Sequence, residues 1–570
     1  MERLRHRLPL LAAAILIPVL AITFIGVGGT DDAHITLGAV RRLVETGQIL
    51  NYNGERIEQS SSLLHVLILA LAVWTTHLPL IWIAWAIGIL AAMATVVMVG
   101  VLADRVRPGC ALVASLLTAL STPFLYWAVG SLETPIAALL LTCVVSSSLR
   151  FLRTGPGSWW RQASPPAIAI ALFTMIRPEG GPVLLLGFAL SLILLHRLHR
   201  DDREIQRRTN FRLLALASVA FLVSVVLVAF RLAYFGRAVP QPVWAKSSIS
   251  IARFGEGFSY LVESIDLSVK VLVVLAVIGL WHLRHRWTDG TILTGALLLS
   301  LSLTIVASGG DWMPFGRFLC VGLPLLAVFA SIGIAAVSSE SRSRRVSIVS
   351  IAILLMAFGG FVHLSDDSMG TPIWTHPVWK DSGVEPINSP WLETRHRGHL
   401  RDVAASPMLA RVVDALSESQ SEIVRVGSPQ AGAVVYNTIF TEQSTFRFVD
   451  VLSLSTNEFS KCISNRHSRY GFGIGADRWL TGEKICGVAP PEVILAIEGG
   501  LSCAKVGDAA STYQIVWMSA GSLDAGVLQA PAPTQQCIAV RKDRLDALPT
   551  DIRAKPSTSG TPQSIHPESR

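Results

Sequence analysis

Charge is scarce in this sequence of 570 residues, in which Asp, Glu, Lys and Arg make up 15% and hydrophobic residues 51%. That balance excludes an ordinary soluble globule, and the regular interruption of apolar stretches by polar loops excludes a fibre. No phosphate-cradling Walker loop, no G-x-G-x-x-G after a strand, no C-x-x-C pair and no H-E-x-x-H occurs, which leaves a nucleotide-sugar donor or a catalytic zinc without a motif. No basic face is interleaved with aromatics, so the net charge of +8 does not indicate nucleic acid. Neither a solenoid period nor a duplicated half is visible.

What is present is a series of long apolar segments. Those of spanning length lie at roughly 8–28, 79–103, 110–129, 133–152, 164–178, 181–198, 211–235, 268–285, 289–307, 317–338 and 346–364. They describe a polytopic α-helical membrane protein with about eleven transmembrane helices, the first read as an uncleaved anchor because no small-x-small cleavage site follows it. The stretch 62–76 is shorter and reads as a juxtamembrane or re-entrant helix. With it outside the count, Arg3, Arg5, Arg7, Arg105, Arg107 and the Arg-rich runs near 150–161, 197–212, 284–286 and 342–345 share one side. By the positive-inside rule that side is cytoplasmic. The expected location is a bacterial inner (plasma) membrane, with the N-terminus cytoplasmic and the C-terminal part extracytoplasmic.

After residue 364 the apolar runs shorten, and "SEIVRVGSPQAGAVVY" reads as strand, turn and helix start. The domains expected are a membrane domain, 1–364, carrying the first outer loop 29–62, an extracytoplasmic α/β domain, 365–545, and a polar, proline-bearing tail, 546–570, expected to be disordered. Cys462, Cys486, Cys503 and Cys537 in the exported domain imply two disulfides, with three pairings open. Cys110, Cys143 and Cys320 lie in or at spans and read as apolar filler.

The outer side collects Asp31, Asp32, His34, Glu133, Arg177, Glu179, Lys246, Asp311 and Arg317 near membrane ends, beside glycines and prolines. Six of them have a plain structural reading: Asp31 and Asp32 as helix caps, Glu133 as a charge at a helix start, Arg177 and Glu179 as a snorkelling pair, Asp311 as a turn residue. Trp244 and Trp312 read first as interfacial anchors. Their gathering on one face favours chemistry there.

The loop "DDAHITLGAVRRLVETGQILNYNGERIEQSSSLLHVL" resembles the first outer loop of GT-C glycosyltransferases that use a polyprenyl-phosphate sugar, and is nearest to their arabinofuranosyltransferase-like branch. "GSLETP", "IRPEG", "RLAYFGRAVPQPVWAK", "GGDWMPFGRFLCVGLPLL", "VGSPQAGAVVY" and "FRFVDVLSL" follow in the same order, so the resemblance covers roughly 30–455. It implies a GT-C-type fold and transfer of a sugar, for instance arabinofuranose, to an envelope glycan, lipid or protein, with inversion. It also implies that Asp31 and Asp32 form the acidic motif that holds the catalytic base.

The chemistry is consistent with those residues. Sugar transfer from a lipid phosphate needs a base for the acceptor proton, stabilisation of oxocarbenium character and cations for the departing phosphate. Arg317, Lys246 and Arg177 are the donor-phosphate candidates, an arginine fork being suited to phosphate. His34, Arg56, Glu58, Glu133, Glu179, Asp311 and Trp312 are the candidates for sugar or acceptor binding. No metal site or cofactor is required; a divalent cation could sit at Asp31 or Asp32. The expected partners are the lipid-linked donor, the acceptor and membrane lipid, without nucleic acid. A flippase of a lipid-linked saccharide and an oligosaccharide ligase are the alternatives. A flippase would be expected to show repeated halves and polar groups at the bilayer midplane.

Overall fold

The computed structural model describes residues 8–22, 31–155, 158–246, 251–311, 313, 315–338, 342–365, 405–419, 423–429, 431–456, 458–459, 476–496, 503–508, 512–518 and 536–553. The chain forms two compact units. One contains Met1–Val27 with Ser60–Leu364, the other Gly28–Gln59 with Ser365–Arg570.

The first unit is helical. Among its described residues Leu80–Val106, Thr134–Arg153, Gly180–Leu198, Arg203–Phe235 and Asp289–Ser308 are long and apolar enough to cross a membrane. Leu80–Val106, with 27 residues, extends about 40 Å. The other apolar segments read from the sequence overlap helices that, among the described residues, are not long and apolar enough to cross by themselves: Leu8–Leu20, Trp159–Ile176, Leu267–Leu283, Leu323–Val337 and Arg342–Ser365. Residues 23–28 of the first segment lie outside the described residues. The segment 110–129 differs from a single rod. It is a pair, Ala111–Ala119 and Thr122–Ala128, bent by 66°. Pro123 in the first turn of the second helix has no N–H to continue the ladder, and its ring disfavours helical backbone just before it. A second break, at Val321–Gly322, separates Arg317–Cys320 from Leu323–Val337 ahead of Pro324.

Helix packing in this unit uses missing side chains. A Cβ on Gly279 would collide with the Phe329 carbonyl, and one on Gly333 with the Leu275 carbonyl, so Leu267–Leu283 and Leu323–Val337 touch backbone to backbone. In lipid, where apolar burial supplies no drive between helices, such close van der Waals contact is a main source of association. Elsewhere the apolar surface faces outward, as at Leu90, Phe221 and Leu222. Ile251–Glu263 is amphipathic, with Ile251, Phe254, Phe258 and Val262 exposed along one stripe and Arg253, Gly257 and Tyr260 buried on the other. That pattern is the one expected of a helix lying in a membrane interface.

The second unit is built on a mixed five-stranded sheet, β1 (Arg425–Ser428), β2 (Arg447–Asp450), β3 (Val493–Ala496), β4 (Tyr513–Met518) and β5 (Cys537–Arg541), in the order β2-β1-β3-β5-β4. β1 runs parallel to β2 and β3, while β5 is antiparallel to β3 and β4. The helix Ala433–Phe440 makes the crossover that a parallel β1–β2 pair requires. Both faces are buried by alternation. Val426, Phe448, Val493, Leu495, Ile538 and Val540 face one core with Leu409, Val413 and Val434. Val449, Ile494, Ala496, Cys537 and Ala539 face the other with Trp479 and Phe459.

The first outer loop, assigned by sequence to the membrane domain, folds within this second unit. Ile35 and Tyr52 enter its core. The Asn53 side chain donates to the Phe448 carbonyl at 2.9 Å and accepts from the Phe448 N–H at 2.8 Å, pairing the exposed edge of β2 as a neighbouring strand would. Part of the stretch read as tail is also ordered, since Leu548 and Ile552 are buried in the same core and Thr550–Arg553 forms a helical turn.

Cys503 and Cys537 form a disulfide with Cα atoms 5.8 Å apart. Cys486 is also disulfide-bonded, and Cys462 lies outside the described residues. Substitution Gly333→Leu is expected to destabilise the membrane unit by roughly 1–3 kcal/mol through overpacking, while Gly155→Leu, with nothing within 4 Å of the added carbon, leaves it unchanged. Thermal unfolding of the purified protein in detergent checks this, and equal melting temperatures for the two variants would contradict it.

Candidate functional site

In the second unit the helix Asp31–Thr46 presents both acids in its first turn. Negative charge there is favoured by the helix dipole. Asp31 has a second tie, because its Oδ1 accepts the Ala433 N–H at 2.7 Å at the start of Ala433–Phe440. Gly432 precedes that helix against Asp31, and a Cβ at 432 would strike the Asp31 carboxylate and carbonyl. The "AGA" in "VGSPQAGAVVY" is therefore the seat of the first acid.

The two helices continue side by side. The His34 ring packs edge-on to Tyr436 with centroids 5.4 Å apart, and the Arg42 guanidinium lies 5.1 Å from the centre of Phe440. Tyr52 donates its hydroxyl to the His34 carbonyl at 2.9 Å, and Gln59 donates to the Ile35 carbonyl at 2.6 Å. Burial, with the charge of Asp31 next and Asp32 adding to it, pushes the Tyr52 phenol well above its ordinary range. His34 is thus buried, with its ring against Tyr436. Glu58 is buried, and Arg56 is exposed and donates to Gln48 at 3.4 Å.

In the first unit the structure gathers five of the expected residues. Glu133 precedes Thr134–Arg153, Arg177 ends Trp159–Ile176 and Glu179 precedes Gly180–Leu198, so three helix ends meet. Arg177 donates through Nη1 to Glu133 at 2.6 Å and through Nε to Glu179 at 2.7 Å. Glu133 is 2% and Arg177 3% exposed. Arg317 Nε pairs with Asp311 Oδ2 at 2.7 Å. Both guanidiniums face one ring, Arg177 at 4.5 Å and Arg317 at 5.1 Å from the centre of Phe318. The charges of Arg177 and then Arg317 offset the cost of burying the Glu133 carboxylate.

Two neighbours escaped the sequence reading. Tyr260, buried on the interfacial helix, accepts the Phe318 N–H at 3.1 Å. His65, 1% exposed, interacts electrostatically with Glu133. Phe318 stands inside the quoted "GGDWMPFGRFLCVG", yet an aromatic in an apolar run carries no signal of its own. The glycines before Asp311 are explained by close approach: side chains at Gly309 and Gly310, both at positive φ, would meet Arg253 and Tyr260. The Lys246 carbonyl accepts from Arg253, which ties it to that turn. Trp244 packs under Arg237 at 4.3 Å. Trp312 lies outside the described residues. Among the described residues, no three His, Cys, Asp or Glu side chains gather as a metal-binding set.

The Glu133–Arg177 pair is expected to couple strongly. Glu133→Gln leaves a buried guanidinium short of one carboxylate and should cost about 3–5 kcal/mol, whereas Glu133→Gln with Arg177→Met should cost much less than the sum of the single losses. A double-mutant cycle on thermal unfolding measures this, and additive losses would contradict the pairing.

No family model matches the sequence, and no curated protein matches it. Solved structures do. ArnT from Cupriavidus metallidurans in the apo state aligns over 98% of this chain and 100% of its own, with 11% identity and a TM-score of 0.53. The same protein bound to undecaprenyl phosphate aligns over 93% of this chain and 97% of its own, with 11% identity and a TM-score of 0.52. The arabinofuranosyltransferase AftD from Mycobacteria aligns over 95% of this chain but 40% of its own, with 14% identity and a TM-score of 0.47, and carries no weight on the branch. The chain is a polytopic helical membrane protein with a GT-C-type fold, which it shares with ArnT along nearly its whole length.

Proposed function

We propose that the chain is a glycosyltransferase that moves a sugar from a polyprenyl-phosphate donor to an envelope glycan, lipid or protein on the extracytoplasmic face. The fold shared with ArnT, a protein solved with undecaprenyl phosphate bound, carries this reading. Supporting it are the acid pair at the head of Asp31–Thr46 and two buried guanidiniums facing one ring. Arabinofuranose is the sugar that the sequence resemblance favours. The arginine bias of alternate loops supports a cytoplasmic N-terminus and an extracytoplasmic second unit in a bacterial plasma membrane.

In this reading the acceptor oxygen attacks the anomeric carbon, the bond from that carbon to the phosphate oxygen breaks, and polyprenyl phosphate leaves. The hydroxyl proton passes to a carboxylate, and the configuration inverts. Asp31, whose Oδ1 accepts the Ala433 N–H, is assigned as the positioning residue, and its neighbour Asp32 as the base. Arg317, paired with Asp311, is assigned with Lys246 to the phosphate, and Arg177, paired with both Glu133 and Glu179, to holding the cluster. Glu133, Glu179 and Asp311 keep the guanidiniums oriented. Glu58, Arg56 and Trp312 remain assigned to the sugar and acceptor. No step requires a metal, and chelation by EDTA is expected to leave transfer unchanged.

The test is transfer from radiolabelled polyprenyl-phosphoryl arabinofuranose by the full chain in nanodiscs. Asp32→Asn is expected to lower turnover by roughly 10²–10⁴. Asp31→Asn keeps a carbonyl oxygen for Ala433 and should lose less than tenfold, whereas Asp31→Leu should lose far more. The reverse order of the two Asn variants would overturn the assignment of the base.

A further inference from the structure

The second unit contains an open cavity of about 320 Å³ at the far end of the same helix that begins with the acid pair. Arg41, Arg42 and Glu45 line it from that helix, and Phe440, Gln443 and Thr445 from the end of Ala433–Phe440 and the turn beyond. Its volume is at the lower end of the range for small-molecule sites, about 300–1,000 Å³. Asp32 and Arg42 are ten positions apart, which at 1.5 Å per residue separates them by about 15 Å along the axis.

We propose that this cavity binds an uncharged saccharide, as a subsite for a glycan acceptor several residues away from the hydroxyl that reacts. The lining alternates a guanidinium, a carboxylate, an amide and a hydroxyl, groups that donate to and accept from sugar hydroxyls, and Phe440 adds apolar surface for a C–H face. The lining carries two guanidiniums and one carboxylate. Arg41 is neutralised by Glu45 at 2.6 Å, and an anion would meet that carboxylate in the same lining. Arg42 is held in place by its bond to the Tyr52 carbonyl at 2.7 Å and by Phe440. Its Nε is buried and has no acceptor among the described residues. Saccharide binding stands on this lining alone; its use as an acceptor subsite rests on the transferase reading.

The experiment titrates the full chain in nanodiscs with uncharged linear hexasaccharides of arabinofuranose, mannose and glucose, and with inorganic phosphate and a sulfated hexasaccharide, read by saturation-transfer NMR without donor. At least one uncharged hexasaccharide is expected to bind with a sub-millimolar Kd. Exposed lining residues allow a variant that should fold: Arg41→Ala with Gln443→Gly and Thr445→Ala, position 443 already having a φ of 56° that glycine adopts freely. It should weaken binding at least tenfold with an unchanged melting temperature, whereas Asp32→Asn should bind as wild type. Absence of uncharged binding, binding of the anionic probes alone, or unchanged affinity in the triple variant would overturn the proposal. Because binding is read without donor, absent transfer with intact binding would count against the transferase reading and leave the cavity's role standing.

Discussion

The bond from the Ala433 N–H to the Asp31 carboxylate joins residues 402 positions apart, and the architecture of the second unit depends on it. A carboxylate at the start of one helix satisfies a donor that the start of another would otherwise leave to solvent. The bond also fixes register: with Asp31 seated at Ala433, His34 meets Tyr436 and Arg42 meets Phe440. Gly432 is demanded by the closeness of that seat, since any side chain would push the acid away. Asp32 and the cavity lined by Arg41 and Arg42 are therefore held by one helix whose position is set at its first residue.

The first unit concentrates charge in a different way. Arg177 is buried where three helix ends converge, and desolvating a guanidinium is tolerable only because Glu133 and Glu179 accept from it. Such a cluster adds little net stability but leaves few alternative packings open to the helix ends. The Phe318 ring lies within reach of both guanidiniums and favours each cation without a further counter-charge.

The apolar segments were legible in the sequence because each requires only a local run of hydrophobic residues, and prolines explain where the structure bends them. Arg177 and Glu179 were legible as neighbours, while Glu133, 44 positions away, could be placed with them only by tertiary packing. The placement of the first outer loop in the second unit was hidden for the same reason, its bonds from Asn53 to Phe448 spanning 395 positions. The pairing of Cys503 with Cys537 could not be read from four cysteines, which allow three connectivities. His34, a candidate by its neighbours, is a buried ring against Tyr436, a contact that spacing in the sequence does not reveal. Tyr260 was unreadable, because only the contacts of its helix distinguish it from any interfacial aromatic.

The central claim is that the chain breaks the bond between a sugar and a polyprenyl phosphate. A single-turnover reaction of purified protein with labelled lipid-phosphate sugar and an acceptor glycan measures this most directly, with free polyprenyl phosphate and the new glycoside quantified together. The account predicts that the two appear in equal amounts and that the anomeric configuration is inverted. Movement of intact donor across the vesicle membrane without a new glycosidic bond would contradict it.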